Sequence, residues 1–519
     1  MKRKLSILLA VALVFTTLLP GCGKKNDPAS SGQSNPDASA KKDTLVMGQY
    51  GDAPNLDPHN CLNDNAMRVE VNIYDPLIRM DENFKPVPCV AESWKVSEDG
   101  TEYIFHIKQG IKFHNGDELK VSDVVYSINR GVKCPQAGPS YSGVLGAEDI
   151  GNNDVKVTLA GPNNQLLAAF SLPMASILDE KVVTEAEANG GKYGRQPVGS
   201  GPYKLANWVT GEKIELVAFD DYHDGVANIK NVTFRAIADQ AAAVISLEKG
   251  EIDTYVDLST SNFAQVEAAD NLTLHTAPAF MYEALAFNCS KPPFDNVKVR
   301  QAIAHAVDKD ALVNGVCDGY GQIIDTFAMP SMAGYTDDFT KYDYDLEKAK
   351  ALLTEAGYPD GFDCTIAADL DYVAKFGQVI SESLAEIGVN AQVSLLEGAA
   401  FKDMVYSGKH DMCFTASTYA GPDMSDTSVY LTFSSSRIDD GRSCMHYRND
   451  EIDQILEEGR KTVDEAKRAP LYTKLIQIVA DEVPMVPFIW DYKNIAANKD
   501  LKNVYAQPQS MYYVHDYAW

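Results

Sequence analysis

The chain has 519 residues, with 46 Lys or Arg against 73 Asp or Glu, and a net charge of −27. That length exceeds what one hydrophobic core organises, so two or three domains are expected. The acidity argues against nucleic acid and anionic surfaces as partners, because phosphate recognition needs basic faces.

Residues 1–21 open with Lys2, Arg3 and Lys4 and continue as an apolar run from Leu5 to Leu19. The run is too short for a membrane span and has the layout of a secretory leader. Gly21 stands directly before Cys22, which resembles a bacterial lipoprotein signal; Pro20 departs from the usual residue at its place. The resemblance makes Cys22 the acylated first residue of the mature chain, anchored to the membrane and not spanning it. Losing the three leader cations takes the net charge from −27 to −30. Residues 22–42, "CGKKNDPASSGQSNPDASAKK", have almost nothing to bury and cannot repay the entropy of ordering. They read as a flexible tether.

Beyond the tether, helical and extended signals alternate without an internal repeat, which indicates an α/β fold of helix-covered sheets. Residues 43–50 read as a first strand, and 65–74 as a helix stopped near Pro76. Strands over 92–96 and 102–108 flank the turn "SEDG"; Tyr103, Phe105 and Ile107 alternate with Ile104, His106 and Lys108. After the Asn115-Gly116 turn, Val121, Val124, Val125 and Ile128 share a helical face, with Ser122 as the expected N-cap. A helix of small residues ends at Gly250, and a helix pair follows within 296–316 on a stripe of Val299, Ile303, Ala306 and Val307. A further helix is stopped by Gly357 and Pro359, and 377–396 reads as a helix followed at once by a strand. The passage 481–499 is strand-like, interrupted by Pro484 and Pro487.

The residues argue against catalysis and metal chemistry. The eight cysteines after Cys22 form no C-x-x-C pair, and one or two disulfides are compatible with an oxidising compartment. The nine histidines never fall two to a helical face, and there is no H-E-x-x-H. Ser200 in "PVGSGPY" lacks the G-x-S-x-G elbow of a nucleophile. No cofactor, no metal site and no enzymatic activity are expected.

Several blocks together resemble the large extracytoplasmic solute-binding proteins of ABC importers, the bacterial family 5 whose members carry peptides, nickel chelates and some oligosaccharides. The blocks are "LVMGQYGDAPNLDP", "AESWKVSEDGTEYIFHIKQGIKFHNGDELKVSDVVYSI", "QPVGSGPYKL", "FDNVKVRQAIAHAVDKDALV", "YDLEKAKALLTEAGYPDG" and "VPMVPFIW", in that order along the chain. The resemblance implies a two-lobed periplasmic-binding-protein-like α/β fold of the large, cluster C type. Lobe I would comprise 43–280, with an extra subdomain at about 79–199, and the returning tail 489–519; lobe II would comprise 281–488. It also implies capture of a peptide, foremost an oligopeptide, between the lobes. A monomer tethered to the outer face of the cell membrane would then deliver it to the permease and ATPase subunits of an importer. The alternatives are an oligosaccharide, a nickel or other metal chelate, or a peptide-sensing surface receptor.

The resemblance also points to site residues. Asn60, Cys61 and Leu62 lie in the polar loop 51–64, near where the family's lobe I meets the ligand backbone. Ser417, Thr418, Tyr419, Gly421 and Asp423 follow a predicted strand and correspond to the lobe II edge that pairs with an extended peptide. In dipeptide- and oligopeptide-type members a Trp and small residues precede an Asp that holds the ligand's α-amino group; here Tyr419, Ala420, Gly421 and Pro422 precede Asp423. Dipeptide-type members also carry an arginine where this chain has "AADLDYVAKF", with Asp369 and Asp371 instead. Without that planar fork for a carboxylate terminus, a longer peptide held by its backbone, or a ligand with a cationic group, fits better.

Overall fold

The computed structural model describes residues 42–519 apart from 82, 83, 192, 420 and 422. The leader, Cys22 and almost all of the tether lie outside the described residues. Two long antiparallel strands, Leu272–Phe287 and Met485–Asn498, pair from Leu272 opposite Asn498 to Ala286 opposite Met485. They form the spine of an eleven-stranded mixed sheet. At one end the second strand carries Thr254–Val256, then Thr44–Gln49, Asn231–Ala236, Lys213–Ala218 and Tyr203–Val209. At the other end the first strand carries Met412–Thr418, then Phe362–Ala368 and Val389–Leu395. The chain therefore forms two lobes, each built on its own end of the same two strands.

The crossing strands are not uniform. Their register shifts between Pro278 and Tyr282 and again between Glu283 and Ala284, where Ile489 and Pro487 are the successive partners. Pro487 thus sits inside a continuous strand, and Pro484 just before its start, which corrects the expectation that both prolines interrupt it. The shift in register takes up the ladder bond that proline cannot make.

Each lobe has its own apolar packing. Leu45, Met47, Val232, Phe234 and Tyr512 are buried together at the first end, and Leu285, Ile303, Ile366, Ile380 and Phe488 at the second. A separate four-stranded antiparallel sheet, Ala91–Val96, Glu102–Ile107, Asp154–Leu159 and Val144–Asp149, makes the extra subdomain. On its second strand Tyr103, Phe105 and Ile107 are buried while Ile104 and His106 are not, the period of two read from sequence. The helix Val121–Lys133 covers this sheet through Val124 and Ile128. Lys120 is its N-cap residue, and the Asp123 carboxylate accepts the Lys120 N–H at 2.8 Å. Ser122 lies inside the first turn and does not cap, because the acidic side chain three places on reaches back to the orphan amide.

"PVGSGPY" is packing, not chemistry. A side chain at Gly199 would put its Cβ 2.0 Å from the Ile73 carbonyl, and Gly201 N–H donates to that carbonyl at 2.9 Å. None of the eight cysteines from Cys61 to Cys444 is in a disulfide. Among the described residues no helix is long and apolar enough to cross a membrane.

Candidate binding groove

The strand Met412–Thr418 is paired along its whole length on one side, from Met281 opposite Thr418 to Phe287 opposite Met412. On its other side the strand Phe362–Ala368 meets it only at Met412 and Cys413. That neighbour ends at Ala368, and the chain enters the helix Asp371–Ala385. From Thr415 to Thr418 this sheet edge carries no strand among the described residues, although the Thr418 carbonyl accepts from the Ser428 hydroxyl at 2.6 Å. Such an edge presents alternate N–H and C=O groups that seek a partner.

The open edge faces a cavity of about 510 Å³ walled by Glu283, Asp369, Leu370, Tyr372, Leu431, Arg437 and Arg442. A second cavity of about 530 Å³ shares Thr418 and Ser428 with it. That cavity is lined by Met281 and Tyr419 from one lobe and by Asp64, Ser140, Asn163, Phe280, Lys493 and Gln509 from the other. A third, of about 440 Å³, shares Leu172, Pro173, Pro508, Gln509 and Met511 with the second. The three share walls and make one long groove.

Of the residues expected from sequence, Asp369, Ser417, Thr418 and Tyr419 line this groove. Tyr419 is buried and donates its hydroxyl to the Phe327 carbonyl at 2.9 Å. Gly421 and Asp423 line a neighbouring hollow with Phe84, Gln165 and Arg468. Both Asp423 oxygens are engaged: Oδ2 accepts from Arg468 at 2.6 Å and Oδ1 from the Ser425 N–H at 2.8 Å. Asp371 is the exposed first residue of its helix and lies outside these walls.

The triplet 60–62 stands apart from the groove. Asn60 donates its amide to Asp57 at 2.9 Å, Cys61 is buried, and the exposed Leu62 gives its N–H to Gln136 at 3.1 Å. Burial pushes the Cys61 thiol up to about 11, so it stays protonated and unreactive. Sequence reading missed Asp64, Lys493, the turn 508–511 and Glu283. Two of these left a signal: Asp64 closes the polar loop 51–64, and Glu283 is a lone carboxylate in the apolar run "FMYEALAF".

Glu283 is 4 % exposed, and Tyr372 donates its hydroxyl to Oε1 at 2.7 Å. Burial raises its carboxyl to about 7; the Tyr372 bond opposes the rise, and the charges of Asp491 and Asp369 add to it. Elsewhere, Asp75, Cys89 and His223 have ligand atoms within 4.8 Å of one another. That group is already an ion-pair network. Asp75 accepts from Arg79 at 2.7 Å, Ser200 at 3.1 Å and His223 at 3.0 Å, and a guanidinium at that distance repels a metal cation.

Two lobes on a pair of crossing strands, with a groove between them, define a solute-binding protein of the large, three-part kind. The chain belongs to a family described as "Bacterial extracellular solute-binding proteins, family 5 Middle", whose model matches residues 85–440. It is an extracytoplasmic binding protein and not an enzyme. Across its full length it is 27 % identical to the oligopeptide-binding protein AppA of Bacillus subtilis, covering 99 % of that protein. The structure of HbpA2 from Haemophilus parasuis superposes with a TM-score of 0.84 at 25 % identity, over 92 % of this chain and 99 % of that one. The periplasmic binding protein DppA of Helicobacter pylori, solved with the peptide STSA, gives 0.74 at 26 % identity, over 92 % and 98 %.

Proposed function

We propose that this protein captures an oligopeptide in extended form and hands it to the permease and ATPase subunits of an ABC importer. The observation that carries the reading is the strand edge at Thr415–Thr418, free of a neighbouring strand among the described residues and opening into a groove. An extended peptide can supply the missing strand, so that its backbone is held whatever its side chains. Ser417, Thr418 and Tyr419 are the residues proposed to line it, with Asp369 on the wall. The family membership and the names of AppA and of the DppA–peptide complex support the same substrate class.

The division at 43–280 with 489–519, against 281–488, is kept as a proposal; the packing of the second end also takes in Ile489, and the cluster around Tyr282 and Tyr419 takes in Phe280 and Trp490. The hinge would be the crossing strands, whose register shifts near Pro278 and Glu283 allow the lobes to turn without losing their pairing. The proposal includes a monomeric mature protein; its leader and tether support an anchor of lipid on Cys22. The test is mass spectrometry of ligand released from purified, denatured protein. Peptides of several residues are expected; a sugar or a metal chelate in their place would overturn the reading.

A further inference from the structure

Glu283 and Ala416 are direct cross-strand partners, so their side chains leave the same face of the sheet. Ala416 lies on the last strand before the open edge. A ligand strand added there would place one residue opposite Ala416, with its side chain in the same row, over the alanine methyl and toward Glu283. Two strand spacings, about 9.6 Å, separate that residue's backbone from the Glu283 backbone. A long side chain and a glutamate reaching toward each other span that distance, and alanine between them leaves the row open.

The walls of this part of the groove match such a side chain. Leu370 (50 % exposed), Leu431 (43 %) and the Tyr372 ring (43 %) offer apolar surface at the mouth, suited to an aliphatic stem. At the base Glu283 is nearly buried, yet its Oε2 takes no hydrogen bond among the described residues, and Asp369 lines the same cavity. A carboxylate oxygen that faces a cavity without a donor, on a residue otherwise withdrawn from water, is an invitation to a cation.

We propose that Glu283, with Asp369, forms a subsite for the cationic side chain of a lysine or arginine in the bound peptide, at the position that faces Ala416. The inference rests on the strand-addition reading given above. Charged groups face the subsite from other elements too: Asp491 on the second crossing strand, Lys402 on the helix Gly398–Tyr406, and Arg437 and Arg442 beyond. Arg437 is paired with Asp440 at 3.1 Å. These cations stand on other walls of the same cavity, and a subsite governed by them would prefer an acidic side chain.

The test is calorimetry with alanine heptapeptides carrying one lysine, norleucine or glutamate, moved in turn through every position. At one position lysine should bind about tenfold more tightly than norleucine, and glutamate no better than norleucine. Glu283→Gln should erase that preference, so that lysine and norleucine bind alike at the position. Ala416→Leu should erase it too by filling the row, without touching a charge. The lysine advantage should grow from pH 6 to pH 8, as the carboxyl gives up its proton, while norleucine stays flat. Equal affinity for lysine and norleucine at every position overturns the subsite but leaves strand addition standing. Tighter binding of glutamate overturns it in favour of the arginines. If no heptapeptide binds at all, the strand-addition reading falls and the subsite with it.

Discussion

Arg468 donates from Nη2 to Oδ2 of Asp423 at 2.6 Å, and its Nη1 reaches the Thr462 and Val463 carbonyls at 2.8 and 2.9 Å. The Arg468 side chain is only 4 % exposed. Asp423 therefore balances a buried guanidinium, which gives its position after Tyr419, Ala420, Gly421 and Pro422 a structural reason. Asp423→Asn should leave that charge without its counter-ion and cost roughly 3 kcal/mol of stability in urea unfolding. It should not change the ratio of affinities for a free-amine peptide and its N-acetylated twin. Unchanged stability with a collapsed amine preference would instead make Asp423 the α-amino clamp.

The buried Glu283 predicts a dependence of stability on pH with a definite sign. Its carboxyl is raised from an ordinary 4.5 to about 7 by burial. Between those values the folded chain holds a proton that the unfolded chain has released. The stabilisation this gives is complete below pH 4.5 and is lost as pH rises towards 7. Glu283→Gln removes the titration. Compared with wild type it should gain stability from pH 5 to pH 8, by up to about 3 kcal/mol. A constant difference between the two proteins over that range would place Glu283 in contact with water.

Replacing Cys22 with Ser should release the protein from the membrane fraction and stop incorporation of labelled fatty acid. The ground is the basic start, the apolar run and the polar stretch that follows Cys22. Continued membrane association with label incorporated would remove the anchor.

Local elements were readable where one period dominated, as in the alternation of Tyr103, Phe105 and Ile107 or the stripe of Val299, Ile303 and Ala306. Pro487 misled because its missing N–H falls at a register shift, a feature of two strands some two hundred residues apart. The helix after Ala368 begins at Asp371, earlier than the apolar pattern from Gly377 indicated. The groove was only partly legible. Ser417 and Thr418 belong to a continuous segment, but Asp64, Lys493 and Gln509 reach the same cavity from distant places. Asp64 at least closes the polar loop 51–64, but nothing in the neighbourhood of Lys493 or Gln509 marks it. The Asp423–Arg468 pair spans 45 positions, and the open edge exists only because a neighbouring strand ends at Ala368. Long-range pairing decides both, and neither hydrophobic period nor turn chemistry records it.

On the proposed function, the edge from Thr415 to Thr418 holds a peptide by its backbone. The most direct measurement is calorimetry of one bound peptide N-methylated at each amide in turn. Strand addition predicts losses that alternate along the peptide: tenfold or more where an N–H faces the edge, little where it faces away. Losses that are uniform along the peptide, or absent at every amide, would contradict the account.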